Sequence, residues 1–360
     1  MSSWKKVRLG DYIHEYSKRN KDNANIPVYS VTNINGFCTE YFSKEVASKD
    51  KTTYKIVKKG FFAYNPSRIN VGSVDWLRDM DRVIVSPLYN VFFVESALDQ
   101  QYLYYYLKSP VGLFYIKELA SGSVRDNLKF SILSDFIIPF PDLTIQKDIA
   151  ATLDRIVQTI NICNTILDKI DLLVKSRFVE MFGDPVKNTK HIKTKRGIEI
   201  FKLSNGKAVP VEKRFDQGIP AYGGNGISWY TNEILAEQDT LVIGRVGFQS
   251  GNVHFARAPL WITDNAMYIS SLDNKCYDII FLCALMEHID FTRYQDAGDL
   301  KKITQKPFMN TEFIAPPIEM QKKYVSFVEQ TDKSKYCLVG KQILGKAEML
   351  IELLNQEYFG

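Results

Sequence analysis

The apolar residues between Ile149 and Val174 recur in alternating steps of four and three, with mainly charged or polar residues elsewhere. This is the a/d pattern of an α-helix that buries one stripe against a partner. Prolines precede the segment up to Pro141 and a glycine follows at Gly183, so we predict a helix over 142–183. The predicted seam is Ile149, Leu153, Ile156, Ile160, Cys163, Leu167, Ile170 and Val174.

A second predicted helix begins near residue 318, and its apolar stripe is less regular. A helix of about 35 residues is roughly 50 Å long, which is too long for the interior of a domain of about 140 residues. We therefore interpret the first helix as a spacer, and we expect the two stripes to pack against each other. The positions of the second stripe are Tyr336, Val339, Ile343, Ala347, Leu350 and Leu354.

Shorter β-like runs occupy the rest of the chain and are separated by Gly, Asn and Pro turns. Examples are residues 81–94 and 259–270, which are rich in β-branched and aromatic side chains. Such runs predict short strands. Together with the long helices they predict an α+β fold.

An internal repeat with an offset close to 177 residues runs through the sequence. Phrases of the first half recur in the same order in the second half, which indicates a tandem duplication. Each repeat is a mixed α/β region followed by a long helix, and the predicted segments are 1–141, 142–183, 184–316 and 317–360. The matched phrases are IPVY (26–29) with IPAY (219–222), Arg68 and VGSV with Arg245 and SGNV, FIIPFPDLTIQK (136–147) with FIAPPIEMQKK (313–323), and EMFG (180–183) with EYFG (357–360).

Composition narrows the class of protein. The 360 residues suffice for two domains with separate cores, and the net charge of +5 permits a nucleic-acid partner without requiring one. A basic stretch lies at 187–214. Five cysteines without a C-x-x-C pair, and four histidines, argue against a metal site or a disulfide framework. No apolar run approaches about 18 residues and the first residues do not resemble a signal peptide, so we expect a cytoplasmic protein with no membrane contact.

Two motifs superficially suggest methyl transfer. Asn65-Pro66-Ser67 is one residue away from the Asn-Pro-Pro-aromatic loop of amino-methyltransferases, and the segment 222–226 is rich in glycine like a cofactor loop. However, Ser67 replaces the second proline, and no buried parallel strand precedes the glycines, which fit a hairpin turn better. The sequence also has no phosphate-binding G-x-x-x-x-G-K-[ST] loop. We therefore expect a chain that is not an enzyme by itself.

The two proline-to-helix junctions, the loops SRINVGS and GRVGFQSGNVHF and the segment PLWITDNA make the chain resemble the specificity subunit of type I restriction-modification systems. The resemblance covers essentially the whole chain. It implies two similar target-recognition domains, in segments 1–141 and 184–316, that each read one half of a bipartite, asymmetric site in double-stranded DNA. It further implies that the two long helices pair antiparallel, with pseudo-twofold symmetry, and set the distance between the half-sites.

The same resemblance implies partners. The helices would dock two methyltransferase subunits, which would bind S-adenosylmethionine and flip adenine. Motor-nuclease subunits, which use ATP and Mg²⁺, would complete the restriction complex. We expect no cofactor or metal on this chain.

Exposed polar loops are the candidates for DNA contact, because arginine suits guanine and Asn or Gln suits adenine. In the first domain the candidates are Asn65, Ser67, Arg68, Asn70, Ser73, Ser123, Arg125, Asn127 and Lys129. In the second they are Asn225, Arg245, Gln249, Ser250, Asn252, Lys301 and Lys302.

Two alternatives stay open. One is a coiled-coil scaffold that binds proteins and no DNA; the other is a self-contained DNA methyltransferase, which the missing motifs disfavour. The sequence specifies neither the bases recognised nor the length of the gap between half-sites.

Overall fold

The computed structural model describes residues 4–39, 50–120, 127–298, 301–338 and 343–360. The chain forms two compact units. Unit 1 comprises Met1–Asn164 and Lys341–Gly360, and unit 2 comprises Thr165–Gly340. The chain therefore leaves unit 1 within one long helix and returns to it with its last helix.

Unit 1 is a mixture of short strands and helices. Its elements are β1 (Lys6–Arg8), β2 (Ile13–Glu15), β3 (Ser30–Thr32), β4 (Gly36–Cys38), β5 (Lys55–Lys58), β6 (Phe62–Tyr64), β7 (Val74–Trp76), β8 (Arg82–Val85), β9 (Asn90–Val94), α1 (Gln100–Lys108), α2 (Pro110–Ala120), α3 (Phe130–Ser134), β10 (Ile137–Pro139) and the first part of α4 (Leu143–Phe182).

A four-stranded antiparallel sheet with the order β2-β9-β6-β7 lies at the centre of unit 1. Strand β6 is buried on both faces: Phe62 and Tyr64 belong to one core cluster and Ala63 to another. Phe62 stacks on Phe92 of β9 with ring centroids 4.9 Å apart. The alternation of side chains across a strand divides them between these two layers.

Unit 2 repeats this mixture. Its elements are the last part of α4, β11 (Thr194–Arg196), α5 (Gly197–Ile200), β12 (Phe201–Asn205), β13 (Ile219–Gly223), β14 (Gly226–Thr231), β15 (Thr240–Gly244), β16 (Val253–Ala256), β17 (Trp261–Ile262), β18 (Ala266–Leu272), α6 (Ile279–Glu287), α7 (Lys306–Asn310), β19 (Glu312–Ile314) and α8 (Ile318–Leu338); the last helix, α9 (Ile343–Phe359), closes unit 1.

The central sheet of unit 2 has the order β12-β18-β15-β16 and is also antiparallel. Each strand has its counterpart at the same place in the sheet of unit 1. Strand β15 is buried along its whole length, like β6. The duplicated sequence thus folds into two similar mixed α/β domains, as predicted.

A buried glutamine fastens the start of α4 in unit 1. The side chain of Gln146 is fully buried. Its carbonyl accepts the backbone N–H of Asp99, the N-cap of α1, at 2.8 Å. Its amide group donates to the backbone carbonyls of Ala97 at 3.1 Å and Pro141 at 2.9 Å.

The same arrangement recurs in unit 2 with Gln321, which is also fully buried. Its carbonyl accepts the backbone N–H of Asp278, the N-cap of α6, at 2.9 Å. Its amide donates to the carbonyls of Cys276 and Pro316, both at 2.8 Å. The two proline-to-helix junctions found in the sequence are therefore formed by the same arrangement of hydrogen bonds around a buried glutamine.

The strand register at these junctions corrects the sequence alignment. In unit 1, β1 pairs with β10 so that Val7 lies opposite Ile138. In unit 2, β11 pairs with β19 so that Lys195 lies opposite Phe313. The structural counterpart of Phe313 is thus Ile138, whereas the sequence pattern matched it with Phe136. A shift of two residues keeps the same side chains facing the core, because the side chains of a strand alternate.

Within unit 2, the end of α4 packs antiparallel against α8. Phe178 and Phe182 of α4 contact Tyr324 of α8 edge to face, with ring centroids 5.4 and 5.8 Å apart. Asp171, earlier on α4, pairs with Lys335, later on α8. Since one position moves back along the chain as the other moves forward, the two helices run in opposite directions.

Within unit 1, the start of α4 and the end of α9 share one core. Ile149 of α4 is buried in the cluster that also holds Phe359 of α9. The ring of Phe359 lies 5.5 Å from that of Tyr102 and 5.7 Å from that of Tyr106. All eight predicted seam positions from Ile149 to Val174 are buried or half-buried.

The predicted fold class is confirmed by this architecture. The helix expected over 142–183 spans Leu143–Phe182. No described helix is long and apolar enough to cross a membrane. In the described residues, the second helical segment consists of two helices, α8 and α9. In its predicted stripe, Ala347 and Leu354 are half-buried and Leu350 is exposed, while the side chains of Tyr336, Val339 and Ile343 lie outside the described residues.

Candidate nucleic-acid interface

The loop between β6 and β7, residues 65–73, is folded by its own polar groups; we call it the unit-1 loop. The side-chain carbonyl of Asn65 accepts the backbone N–H of Ser67 at 3.1 Å, and the backbone N–H of Asn65 donates to Ser73 at 3.3 Å. Gly72 has a left-handed φ of 89°. The Asn-Pro-Ser motif thus forms a turn at the end of a hairpin.

A second segment, residues 127–129, is joined to the unit-1 loop. The Ser67 hydroxyl donates to the side-chain carbonyl of Asn127 at 2.5 Å, and the backbone N–H of Leu128 donates to Pro66 at 3.1 Å. The Tyr64 hydroxyl donates to the carbonyl of Leu128 at 3.1 Å, and burial raises the pKa of this tyrosine. The structure therefore places the segment that holds the candidates Asn127 and Lys129 against the unit-1 loop.

The candidates in unit 1 differ in exposure. Ser67, Arg68 and Lys129 are exposed, Asn65, Asn70 and Asn127 are half-buried, and Ser73 is buried. Ser123 and Arg125 lie outside the described residues. The buried Ser73 serves the turn rather than the surface.

The hairpin turn between β3 and β4 lies beside the unit-1 loop. Lys108 of α1 donates to the backbone carbonyl of Asn33 at 2.6 Å, and burial lowers the pKa of this lysine. A Cβ atom on Gly72 would lie 2.5 Å from the side-chain oxygen of Asn33, so the two loops are in close contact. At the tip of the turn, Ile34 is 91% exposed. This turn was not among the sequence-predicted candidates, and its proximity to the unit-1 loop follows from contacts distant in sequence.

The loop between β15 and β16, residues 245–252, is the counterpart in unit 2; we call it the unit-2 loop. The backbone N–H of Gly244 donates to Asn252 at 2.9 Å, and that of Ser250 donates to Gly247 at 3.0 Å. Gly247 and Gly251 have left-handed φ values of 91° and 97°, which favour glycine. Arg245 is the first residue of this loop, whereas Arg68 is the fourth of its own, so the two arginines share a loop but not a position.

Residues 301–303 are joined to the unit-2 loop as 127–129 are joined to the unit-1 loop. Gly247 donates its backbone N–H to Lys301 at 2.7 Å, and Ile303 donates to Arg245 at 2.9 Å. The backbone N–H of Arg245 donates in turn to Asn265 at 2.9 Å. Both units thus present a hairpin loop fixed to a segment that precedes a short helix.

The candidates in unit 2 also differ in exposure. Asn225 and Lys302 are exposed, and Arg245, Gln249, Asn252 and Lys301 are half-buried. Asn252 donates to the side-chain carbonyl of Gln249, so both amides are already engaged within the loop. Ser250 is fully buried, and among the described residues its hydroxyl has no hydrogen-bond partner.

A cleft of about 700 Å³ opens beside the unit-2 loop; we call it the unit-2 cleft. Its walls come from the β13–β14 hairpin, the unit-2 loop and the turn before β18. The guanidinium of Arg214 stacks over the ring of Trp229 at 4.9 Å on one side. Phe248, at the tip of the loop, is 87% exposed. Sequence reasoning missed Phe248, Trp229 and Arg214, which come from three separate segments.

The side chains of both surfaces are suited to a nucleic acid, which presents charged phosphates and base edges that form hydrogen bonds. Arginine and lysine side chains lie beside amides and hydroxyls on loops held in place by backbone hydrogen bonds. Cations of this kind contact phosphates, and amides or guanidinium groups contact base edges. In the part of the chain that the structure describes, there is no group of three or more His, Cys, Asp or Glu residues that could hold a metal.

The sequence matches a known family twice. The family model described as type I restriction modification DNA specificity domain covers residues 1–172 and again 190–344. The two matches together account for most of the chain.

Individual relatives agree with this match. The chain is 28% identical over 263 residues to a putative type I specificity subunit of Mycoplasma genitalium, covering 68% of this chain and 67% of that protein. It is 29% identical over 201 residues to a putative type I specificity subunit of Mycoplasma pneumoniae, covering 52% and 53%. The second alignment therefore spans about half the length of that relative.

Solved structures share the fold. The chain superposes on the S subunit of a type I restriction-modification system from M. genitalium with a TM-score of 0.66 at 17% identity, covering 99% of this chain and 96% of that one. A chain from a structural study of complex assembly and conformational transition in a type I system gives a TM-score of 0.54 at 16% identity, with coverage of 99% and 97%.

Proposed function

The chain belongs to the family of type I restriction modification DNA specificity proteins, and from this premise we propose that unit 1 and unit 2 each read one half of a bipartite, asymmetric DNA site. The chain is a specificity subunit with DNA-recognition domains. The half-sites differ because the loops differ in sequence although their scaffold is the same.

One observation carries the proposal. Each unit holds the same four-stranded sheet, and at the same end of that sheet a hairpin loop is fixed to a second segment. The scaffold is repeated, but the polar side chains on it are not. Two copies of one scaffold with different side chains are suited to two different sequences.

We assign the contacts with bases and phosphates to the exposed and half-buried residues of these loops. Arg68 in unit 1 and Arg245 in unit 2 are suited to guanine through paired hydrogen bonds. Lys129 and Lys302 are exposed and suited to phosphates. The buried Ser73 and Ser250 are excluded from contact and shape their loops instead.

The long helices set the distance between half-sites and dock two methyltransferase subunits. Helix α4 has 40 residues, and besides its buried seam it carries apolar side chains that the described chain leaves exposed. Large exposed apolar side chains on one element favour an interface with another protein. Those on α4 include Ile162 (60%), Leu172 (64%), Leu173 (52%) and Val179 (46%).

The chemistry belongs to the partners in this proposal. The methyltransferase subunits bind S-adenosylmethionine and modify adenine, and motor-nuclease subunits supply ATP- and Mg²⁺-dependent cleavage. The chain itself binds no cofactor and acts in the cytoplasm, where the DNA is.

The test is a domain exchange. Residues 1–140 are replaced by the corresponding domain of another specificity subunit, and methylated sites are mapped in cells that express the complex. We expect one half-site to change and the other to stay. A folded chimera that alters both half-sites would contradict independent reading, and unchanged methylation would assign recognition elsewhere.

The two rival functions give different results in simple assays. A scaffold without DNA binding would assemble with methyltransferase subunits, but the complex would bind random and cognate duplexes equally. A self-contained methyltransferase would label DNA in the absence of any partner. The engagement of Asn65 and Ser67 within the unit-1 loop argues against their holding a flipped base for methylation.

A further inference from the structure

The ring of Phe248 is displayed to solvent by a fixed backbone. It is 87% exposed. The preceding Gly247 is bonded to Lys301 at 2.7 Å, and the Gln295 amide donates to the carbonyls of Ser250 at 2.7 Å and Phe248 at 3.4 Å. An exposed aromatic ring loses the free energy that burial would provide. A rigid loop that holds such a ring outward therefore favours a partner that covers it.

The unit-2 cleft lies beside this ring and has the size and chemistry to hold one nucleobase. Its volume of about 700 Å³ falls within the range of sites for small ligands. Trp229 and Arg214 offer flat groups on which a base stacks. Asn225, Asp264 and Asn265 line the cleft, and all three are exposed.

We propose that unit 2 takes one base out of the DNA stack: Phe248 fills the gap, and the unit-2 cleft receives the displaced base. Apolar side chains inserted between bases, and pockets for the base removed, are general devices of DNA-binding proteins. The inference rests on the proposed function, since it assumes that unit 2 reads DNA.

The lining identifies the class of base. The carboxylate of Asp264 accepts hydrogen bonds and favours an exocyclic amino group, which adenine, cytosine and guanine carry on their pairing edges and thymine lacks. The amides of Asn225 and Asn265 can serve ring nitrogens and carbonyls of the same base. Lys302, on the same loop assembly, is suited to a flanking phosphate. The site therefore fits an amino-bearing base of duplex DNA, which is any base except thymine.

Unit 1 offers an internal comparison. The exposed apolar residue of the unit-1 loop is Val71, at 51%, which is smaller than a phenylalanine ring and not planar. We therefore expect base displacement in the half-site of unit 2 and not, by this loop, in that of unit 1.

The experiment uses the complex with methyltransferase subunits and duplexes that carry a fluorescent analogue of adenine, guanine or cytosine at one position at a time. These analogues brighten when unstacked. We expect one position in the unit-2 half-site, other than the methylated adenine, to brighten severalfold with the wild-type complex. Phe248→Ala should abolish this signal and weaken binding about tenfold, because base stacking on an aromatic ring contributes that order of affinity.

Ile198→Ala is the matched control. Ile198 is 61% exposed in unit 2. It lies just before Phe201, at the end of β12 that points away from the unit-2 loop. This variant should keep the signal. Asp264→Asn should keep binding but lower the preference for the amino-bearing base. Specific DNA binding without brightening at any position, or brightening that survives Phe248→Ala, would overturn the proposal. If the wild-type complex showed no sequence-specific DNA binding, that result would instead refute the proposed function.

Discussion

At the residue scale, Gln146 and Gln321 show how a single, fully buried side chain satisfies three backbone groups. Each accepts one N–H at a helix start and donates to two carbonyls. Buried backbone groups are costly when unpaired. Glutamine is suited to the position because its amide has both a donor and an acceptor at the length required.

Gln146→Ala should destabilise unit 1 by about 3 kcal/mol, because it leaves one N–H and two carbonyls unpaired and opens a cavity. Thermal unfolding followed by circular dichroism and calorimetry measures the loss. Gln158→Ala, at an exposed position of the same helix, is the control and should unfold near the wild-type temperature. Equal midpoints for the two variants would show that the buried Gln146 side chain does not stabilise unit 1.

Arg68→Ala and Arg245→Ala should each lower the affinity of the assembled complex for its site without unfolding the chain. If each arginine reads a guanine, the loss is about 1–3 kcal/mol and is confined to the half-site of its own unit. Binding is measured on duplexes with substitutions in one half-site at a time. Unchanged binding by both variants would remove these residues from the set of contacts.

The sequence predicted the loops better than it predicted the residues that form their surfaces. Asn65, Ser67 and Asn127 were expected in polar loops, and the structure joins them. The burial of Ser73 and Ser250 could not be foreseen, because it depends on segments that are distant in sequence. Phe248 was not among the candidates, because these were chosen as polar residues in loops.

At the scale of elements, the heptad pattern was informative because it repeats over a long helix. Leu143–Phe182 agrees with the predicted segment to one residue at each end. The short strands gave weaker signals. Matching Phe136 with Phe313 was off by two residues, and a period-two pattern cannot detect such a slip because it leaves the faces unchanged.

Insertions into α4 test the role of the seam. Four added residues shift the phase of the stripe between Ile149 and Val174 and expose apolar side chains, so we expect an unstable or insoluble protein. Seven residues added to each long helical segment at matched positions preserve the phase and lengthen the rod by about 10 Å. The half-sites should then move apart by about three base pairs if the rod lies along the DNA.

The measurement is methylation of sites with graded gaps by the double-insertion variant. The wild-type complex on the same series is the control. A variant that still prefers the original gap would show that the helices do not set the spacing and serve only to dock partners.

At the scale of the whole molecule, the net charge of +5 is small for a DNA-binding protein. In our proposal, the positive charge that contacts DNA is local, on the loop assemblies of the two units. Attraction to phosphates by a few well-placed lysines is sequence-independent and sensitive to salt. The basic stretch at 187–214 begins at the junction end of unit 2, away from the loops, and ends at Arg214 in the unit-2 cleft.

Lys129→Gln and Lys302→Gln should weaken binding to cognate and random duplexes by the same factor. Each should also reduce the slope of log affinity against log salt by about one. Lys187→Gln, at an exposed position in the turn after α4, is the control and should leave the slope unchanged. A loss confined to cognate DNA would mean that the lysine reads a base.

The closure of unit 1 by α9 has a consequence for synthesis. Phe359 fills the core beside Tyr102 and Tyr106, and Tyr358 stacks near Trp4, with ring centroids 6.3 Å apart. Unit 2 is one continuous stretch of chain, so a ribosome completes it before unit 1, although translation of unit 1 starts first. A stop codon placed just before α9 would therefore spare the domain nearest to it and disable the one encoded at the opposite end of the gene.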